Sequence, residues 1–286
     1  MYLLYKIGAF LTWILPLSVC YRLADRAGSI YYHCAKKDRQ IVNNNLRVIL
    51  SHTKAAGNVN QLSRSVFTNF ARYLVDFFRT PKIDLNYVRE HVKLDGLDNL
   101  DQARSLKKGV LLVGAHIGNW ELGALALAIL GYKIKIIAWT HKNKFVNDFF
   151  NRRRESKGVG VIPLGIALKS VFTALKNEEN VAILGDVDYT QPASGMAVKL
   201  FGQMTIMPKG PALFSLRTGA PIVPAFLLRE KGNNFRFIFG KPIVSQPTGN
   251  QDADLYALTQ KLTEIIAGHI ALDPGQWFMI KQRWEN

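Results

Sequence analysis

The sequence predicts an α/β fold with a mostly parallel central sheet flanked by helices. From about Val92, short β-rich runs alternate with helical runs, which is the pattern of βαβ units. The run VLLVGA at 110–115 is continuously apolar, as expected of a strand that is buried on both faces. Apolar residues make up 48% of the 286 residues, which is enough for a sizeable core.

The first part of the chain has a different rhythm, which predicts a helical N-terminal region at 1–80 and an α/β domain at 81–286. Apolar residues recur at three- and four-residue steps in NNNLRVIL and ARYLVDFFR, as on one face of a helix. Pro81 breaks this pattern.

The α/β part is predicted from apolar runs and helical periodicity, taken in chain order. The predicted strands are VLLVGA, KIKIIAW, VGVIPL, VAILGD, MAVKLFG, PIVPAFLLRE and NNFRFIFG. The predicted helices are NWELGALALAIL, a basic helix near KFVNDFFNRRRESKG, Ile166 to Lys176, KGPALFSLRTG and DLYALTQKLTEIIAGHI.

An uncharged run extends from Ile7 to Cys20, close to the N-terminus. It is shorter than the roughly 20 residues that a membrane-spanning helix needs, and Pro16 would kink it. Basic residues flank the run, so it predicts an interfacial or shallow membrane anchor on the cytoplasmic side. The alternative is a buried core helix.

The charge balance favours acidic partners. Lys and Arg number 37 against 21 Asp and Glu, a formal net charge of +16. No helix-turn-helix, zinc or RNA-recognition pattern is present, and an apolar N-terminal run accompanies the charge. An anionic membrane or an acidic protein is therefore expected rather than nucleic acid. Two cysteines, Cys20 and Cys34, offer neither a disulfide framework nor zinc-ligand spacing.

The basic residues concentrate in one stretch, 141–157. On a helix they could form a ridge for an anionic partner, although a solvated basic face is the alternative. The ridge would consist of Lys142, Lys144, Arg152, Arg153, Arg154 and Lys157.

The segment AHIGNWE carries the candidate catalytic residues. His116 directly follows the VLLVGA strand, at the sheet edge where ligands bind in open α/β folds. Gly118 suits a tight turn, Asn119 suits a helix N-cap, and Glu121 would lie in the first helical turn. A Glu121 carboxylate turned back to the imidazole would fix its tautomer and make His116 a general base. The alternative is a core histidine that is satisfied by a nearby glutamate.

The expected chemistry is direct transfer. The sequence has no G-x-S-x-G nucleophile elbow, and neither cysteine is near His116. His116 would take a proton from a substrate hydroxyl, which attacks an activated acyl group, and this requires no metal or cofactor.

Asp186 and Asp188 follow another apolar run, VAILG, at the predicted end of a strand. An Asp-x-Asp pair there could hold a divalent metal on a sugar nucleotide, which makes a metal-dependent glycosyltransferase the alternative function. The pair could instead hold an arginine or cap a turn, and this site-shaping role is favoured. A non-catalytic lipid or nucleic-acid binder is a third class.

The sequence resembles the lipid A biosynthesis (late) acyltransferases of the lauroyl and myristoyl type. AHIGNWE is similar to the H-x4-E motif of that family, GDVDYT to its second acidic motif and QWFMIKQRW to its C-terminal signature. NNNLRVIL, FTNFARYLVDFFR and VKLFGQMTIMPKGPALFSLRTGAPIVPAFLLR resemble its N-terminal helices and central block, so the resemblance spans nearly the whole chain.

The resemblance implies a membrane-associated enzyme at the cytoplasmic face of the bacterial inner membrane. It would move a fatty acyl chain from acyl carrier protein or acyl-CoA to a hydroxyl of a glycolipid, such as a lipid A precursor. The catalytic pair of the family maps onto His116 and Glu121. Candidate substrate-binding residues are Asn119, Arg152, Arg153, Arg154, Asp186 and Asp188.

Overall fold

The structure, a computed structural model, describes residues 2–55, 57–187, 195–281, 283 and 284. The helices are α1 (Tyr2–Ile14), α2 (Leu17–Cys34), α3 (Lys36–His52), α4 (Val59–Phe78), α5 (Leu85–His91), α6 (Leu97–Arg104), α7 (Trp120–Ile129), α8 (Lys144–Glu155), α9 (Ala167–Lys176), α10 (Gly210–Thr218) and α11 (Gln251–Leu272). The strands are β1 (Val92–Asp95), β2 (Val110–Gly114), β3 (Ile134–Ala138), β4 (Val159–Pro163), β5 (Asn180–Leu184), β6 (Gly195–Leu200), β7 (Gln203–Pro208), β8 (Ile222–Arg229) and β9 (Phe235–Phe239).

The predicted fold class is confirmed by the central sheet. Within the described residues this sheet has seven strands in the order β1-β9-β8-β2-β5-β3-β4. Every neighbouring pair is parallel except β8 and β9. β2, from the VLLVGA run, lies between β8 and β5 and is buried along its whole length. His116 follows β2 by two residues and therefore lies at the middle of the edge that the carboxyl ends of the parallel strands form.

Helices cover both faces of the sheet. β2 contributes to two separate apolar cores, because its successive side chains point to opposite faces of the sheet. Leu111 and Val113 lie in the first core, and Val110 and Leu112 lie in the second. The first core packs against α3, α9, α10 and α11, and the second packs against α7. This two-sided cover is why β2 contains no polar residue.

Two strands were not predicted from the sequence. β1 is a four-residue strand, VKLD, at the edge of the sheet, and it is too short for its apolar–polar alternation to stand out. β7 pairs with β6 as an antiparallel ribbon outside the main sheet. The turn between them uses Phe201 and Gly202 with positive φ values of 50° and 72°. Partial exposure of both ribbon strands weakens the sequence pattern.

The N-terminal apolar run is divided between two helices at Pro16, as the predicted kink implied. α1 is not a buried core helix, because its large apolar side chains are exposed: Leu3, Leu4, Ile7, Phe10, Leu11, Trp13 and Ile14. No helix in the described part of the chain is long and apolar enough to cross a bilayer.

Candidate active site

His116 and Asp186 come together because their strands are neighbours in the parallel sheet. Gly114 at the end of β2 pairs in register with Leu184 at the end of β5. Both chains then continue for two residues beyond the same sheet edge. The Nδ1 atom of His116 lies 2.8 Å from Oδ1 of Asp186, and the backbone N–H of His116 donates to Oδ2 at 2.9 Å.

The Asp186 carboxylate is fully buried and satisfied by hydrogen bonds. Besides the two contacts from His116, the indole N–H of Trp277 donates to Oδ2 at 2.9 Å. Burial by itself raises the pKa of Asp186, but the charge of a protonated His116 and these hydrogen bonds outweigh it. The net result is a pKa below its ordinary value, so Asp186 is an anion at neutral pH and can accept a hydrogen bond from Nδ1 of His116.

Glu121 has a different partner from the one the sequence predicted. Its carboxylate forms a two-pronged ion pair with Arg154, with Nε–Oε2 and Nη2–Oε1 distances of 2.9 and 2.5 Å. Both side chains are buried. The predicted contact between Glu121 and the imidazole is therefore replaced by the contact from Asp186, because Glu121, in the first turn of α7, faces α8.

Arg154 is the member of the Arg152–Arg154 run that enters the site. Arg152 is exposed, and the guanidinium of Arg153 lies over the ring of Phe149 at 3.8 Å. The expected basic ridge therefore lacks Arg154, whose charge is offset by Glu121. The spacing contained the signal, since Val146, Phe150 and Arg154 recur at four-residue steps on the buried face of α8.

Arg154→Ala is expected to lower the free energy of unfolding by about 3–5 kcal/mol, because it leaves the Glu121 carboxylate buried without its cation. Arg152→Ala is the matched control, and as an exposed change in the same helix it should stay within about 0.5 kcal/mol of wild type. Denaturant unfolding measures both. Equal midpoints for the two variants would contradict the ion pair's structural role.

A tight turn connects His116 to α7. Gly118 has a φ of +65°, and an added Cβ would lie 2.0 Å from the carbonyl oxygen of Leu227, so only glycine fits there. The Asn119 side chain accepts from the N–H of Leu122 at 3.0 Å, which confirms the predicted N-cap. Asn119 is buried and its amide nitrogen donates to Asp76 at 2.8 Å, so its described contacts are within the protein.

A buried polar network ties this turn to the N-terminal helices. Asp76 of α4 accepts from Asn119, from the Tyr21 hydroxyl of α2 at 2.5 Å, and from Arg229 at the end of β8. The pKa of Tyr21 is raised, chiefly because the phenol is buried and secondly because of the negative charge of Asp76. Burial lowers the pKa of Arg229, but the charge of Asp76, the Tyr21 phenol and the hydrogen bonds to both together outweigh burial and raise the pKa. The N-terminal helices are thus fastened to the segment that carries His116.

A cavity of about 570 Å³ opens beside His116. Leu112 and Ile134 of the sheet and Ala124 and Leu127 of α7 all line it, so it extends between α7 and the sheet. Further walls come from α1, α4, α8 and α10. Its polar lining is sparse and consists chiefly of His116, Glu121, Arg154, His141, Tyr73 and Lys209. His116 and Glu121, predicted to share a site, both face this apolar space.

Several residues of the site were not singled out from the sequence. The indole N–H of Trp277 donates to Asp186, and the N–H of Phe278 donates to the carbonyl oxygen of His116 at 2.8 Å. The side-chain amide of Gln276 accepts from the backbone N–H of Arg229 at 2.8 Å and donates to the carbonyl oxygen of Arg229 at 2.9 Å. These contacts join residues that are 47 to 162 positions apart in the sequence, so local patterns contain no signal for them.

The Asp186–Asp188 pair is described in part. Asp188 lies outside the described residues, and Asp186 is occupied by His116 and Trp277. Among residues 2–55, 57–187, 195–281, 283 and 284, no group of three or more His, Cys, Asp or Glu side chains is arranged to hold a metal ion.

Comparisons with known proteins identify the family. The whole chain, residues 1–286, matches the bacterial lipid A biosynthesis acyltransferases. The phosphatidylinositol mannoside acyltransferase of Mycobacterium tuberculosis is 30% identical over 223 residues, which are 76% of this chain and 68% of that protein. The lipid A biosynthesis palmitoleoyltransferase of Escherichia coli is 23% identical over 284 residues, covering 99% of this chain and 90% of its own.

A third relative agrees with these two. The lipid A biosynthesis lauroyltransferase of Escherichia coli is 24% identical over 296 residues, covering 100% of this chain and 92% of that protein. All of these relatives are named as acyltransferases, which sets aside the glycosyltransferase alternative. The chain is an acyltransferase and belongs to the bacterial lipid A biosynthesis acyltransferase family.

Proposed function

We propose that the protein moves a fatty acyl chain from an acyl thioester to a hydroxyl of a membrane glycolipid, with His116 as the general base. The observation that carries the proposal is a histidine bonded to a buried carboxylate at the mouth of an apolar cavity. The His116 side chain is 16% exposed, whereas Asp186 is fully buried. The carboxylate is therefore out of a substrate's reach, and the imidazole is within it.

The proposed reaction is a direct transfer. Nδ1–H of His116 donates to Asp186, which leaves Nε2 as the basic nitrogen. Nε2 takes the proton of the acceptor hydroxyl while its oxygen attacks the thioester carbonyl carbon. The C–S bond then breaks, and the proton passes from His116 to the leaving thiolate sulfur. Asp186 stabilises the transient imidazolium and does not itself take the proton.

Glu121 is proposed to act on this reaction through Arg154 and the cavity wall. Its carboxylate and the Arg154 guanidinium neutralise each other beside the imidazole, so neither leaves an isolated charge in an apolar space. This pair would hold α7 and α8 at a fixed separation on either side of the substrate. Glu121 and Arg154 are therefore positioning residues in this proposal, and His116 is the catalytic residue.

The acyl chain is proposed to occupy the space between α7 and the sheet. The side chains there are aliphatic and aromatic, and each buried methylene contributes about 0.8 kcal/mol. A fixed wall in such a cavity would limit the length of the chain. Gly123 of α7 is at such a wall, since an added Cβ would lie 3.3 Å from Cζ of Phe237 and 3.5 Å from Cβ of Leu227.

Gly123→Ala is expected to shift the preference of the enzyme toward shorter acyl donors, because the methyl group takes space from the cavity. Turnover with the shortest accepted chain should remain, and turnover with the longest should fall several-fold, in line with about 0.8 kcal/mol per excluded methylene. Gly268→Ala in α11 is the matched control, since its added Cβ would meet nothing within 4 Å. An unchanged chain-length profile in Gly123→Ala would show that Gly123 does not bound the chain.

The positive charge of the protein favours an anionic donor carrier. Acyl carrier protein is acidic and acyl-CoA carries phosphates, so either donor would be attracted by the net charge of +16. Arg152 and Arg153, with Lys142, Lys144 and Lys157, are on or beside α8, which forms one wall of the cavity. We propose that the carrier docks on this basic surface.

The acceptor is proposed to be reached from a membrane surface. Tyr5 of α1 lines the cavity, and the outward apolar side chains of the same helix are exposed. Trp139, Phe145 and Ile166, near the carboxyl edge of the sheet, are 51%, 65% and 63% exposed. An apolar surface of this kind beside the cavity would insert shallowly into the cytoplasmic leaflet of the bacterial inner membrane, which is anionic.

The names of the relatives reported above support a proposal for the acceptor class. Both lipid A precursors and phosphatidylinositol mannosides present sugar hydroxyls on an anionic lipid, and we propose an acceptor of this glycolipid class. The test incubates the purified protein with isotope-labelled acyl thioesters and vesicles of total bacterial lipid. One glycolipid should gain the mass of the acyl group minus water. Label found only as free fatty acid, with every lipid unchanged, would overturn the proposal.

A further inference from the structure

A second polar group faces the proposed reaction cavity and is not explained by packing. Tyr73 of α4 lines the cavity and is 5% exposed. Within the described residues, the Tyr73 hydroxyl makes no hydrogen bond to a protein group. A buried phenol without a protein partner has a free-energy cost, so its hydroxyl is expected to serve a bound molecule.

The ring of Tyr73 is held beside the imidazole by Trp120. The Tyr73 and Trp120 rings are stacked with centroids 4.4 Å apart, and Trp120 meets His116 edge-on at 5.0 Å. One aromatic ring therefore separates the phenol from the proposed general base. Phe70 stacks on Tyr73 at 5.4 Å and fixes its ring plane.

The electrostatic environment keeps the phenol protonated. Burial, followed by the negative charge of Glu121, raises the pKa of Tyr73, and the opposing effect of Arg154 is smaller. A phenol that keeps its proton at neutral pH can donate a hydrogen bond. A donor is what the reaction needs, because negative charge develops on the thioester carbonyl oxygen during attack.

We propose that the Tyr73 hydroxyl donates a hydrogen bond to the carbonyl oxygen of the acyl donor as that oxygen becomes negative. The phenol keeps its proton throughout, while the acceptor proton moves to His116 and then to the departing sulfur. Tyr73 is in this sense a further catalytic residue of the same site, and the inference rests on the proposed function. It assigns to α4 a part in the chemistry in addition to its packing.

Tyr73→Phe is expected to lower kcat roughly 10²-fold, the usual effect of losing one oxyanion donor, with little change in KM for the donor. The phenyl ring keeps the stacks on Trp120 and Phe70, so folding should be unaffected. Tyr87→Phe is the control, since this phenol belongs to the Asp76–Arg229 surroundings and does not line the cavity. It should retain wild-type turnover.

A second measurement separates catalysis from packing. A thioether analogue of the donor lacks the carbonyl oxygen, so its dissociation constant should be the same for wild type and Tyr73→Phe. If Tyr73→Phe keeps full kcat, or if it weakens thioether binding as much as turnover, the inference is overturned. His116→Ala, assayed in parallel, tests the proposed function itself. If His116→Ala is inactive and Tyr73→Phe is fully active, the role of Tyr73 is overturned and the proposed function is retained.

Discussion

His116→Ala is expected to abolish acyl transfer, with a loss of about 10²–10⁴ in rate for the missing general base. The two carboxylates described near His116 are not placed to take the acceptor proton in its stead, since Asp186 is fully buried and Glu121 is neutralised by Arg154. The Asp186 carboxylate would keep the backbone N–H of residue 116 and the indole N–H of Trp277 as donors. The fold should therefore survive the substitution.

His116→Asn provides the check on folding. Its side-chain amide can donate to Asp186 in place of Nδ1–H but cannot accept the hydroxyl proton. It should match wild type in denaturant midpoint and match His116→Ala in inactivity, as measured by labelled acyl transfer. Substantial activity in His116→Asn would mean that the imidazole orients the site and is not its base.

Asp186→Asn is expected to lower kcat by about 10³–10⁴-fold, which is the size of effect seen when an amide imposes the wrong histidine tautomer in a triad. The carboxamide oxygen can still accept from Trp277 and from the backbone of residue 116. The amide nitrogen, however, would face Nδ1 of His116 as a donor and move the imidazole proton to Nε2. A histidine in that tautomer cannot accept a proton from the acceptor.

The same substitution should change the response of the protein to acid. Because the pKa of Asp186 in the folded protein is below its ordinary value, the carboxylate stabilises the fold above the unfolded pKa of about 3.9. This contribution is lost as the pH falls through the lower folded pKa. The stability of Asp186→Asn should therefore depend less on pH in the acid range. Turnover needs a separate comparison, which Glu121→Gln provides because it disturbs a different ion pair. A larger loss of kcat in Glu121→Gln than in Asp186→Asn would favour the Glu121 dyad that was predicted from the sequence.

The sequence predicted the fold class because the strands of a two-sided parallel sheet are nearly pure apolar runs. VLLVGA could be placed as a central strand, and its end could be identified as a ligand site, from local pattern alone. β1 was missed because it has only four residues, and β7 was missed because it exposes Met204 and Ile206 while it buries Thr205. Local pattern is a strong guide where both faces of a strand are buried and a weak one elsewhere.

The partner of His116 could not be predicted without the strand order. Asp186 is 70 residues away in sequence and reaches the imidazole because β5 pairs beside β2 in a fixed register. Glu121, five residues away, was the nearer carboxylate, but the first turn of α7 directs it to Arg154. Sequence proximity was thus a poor guide to contact, whereas the meeting of His116 and Asp186 follows from the pairing of their two strands.

In the proposed mechanism, Asp186 holds His116 in the tautomer whose Nε2 can accept a proton. The ¹⁵N chemical shifts of the His116 ring, assigned by their absence from the spectrum of His116→Ala, measure that tautomer. In the neutral imidazole of the wild-type protein, Nδ1 should be protonated and Nε2 should not, and Asp186→Asn should reverse the two. A wild-type imidazole with its proton on Nε2, or one whose shifts ignore Asp186→Asn, would contradict the proposed mechanism.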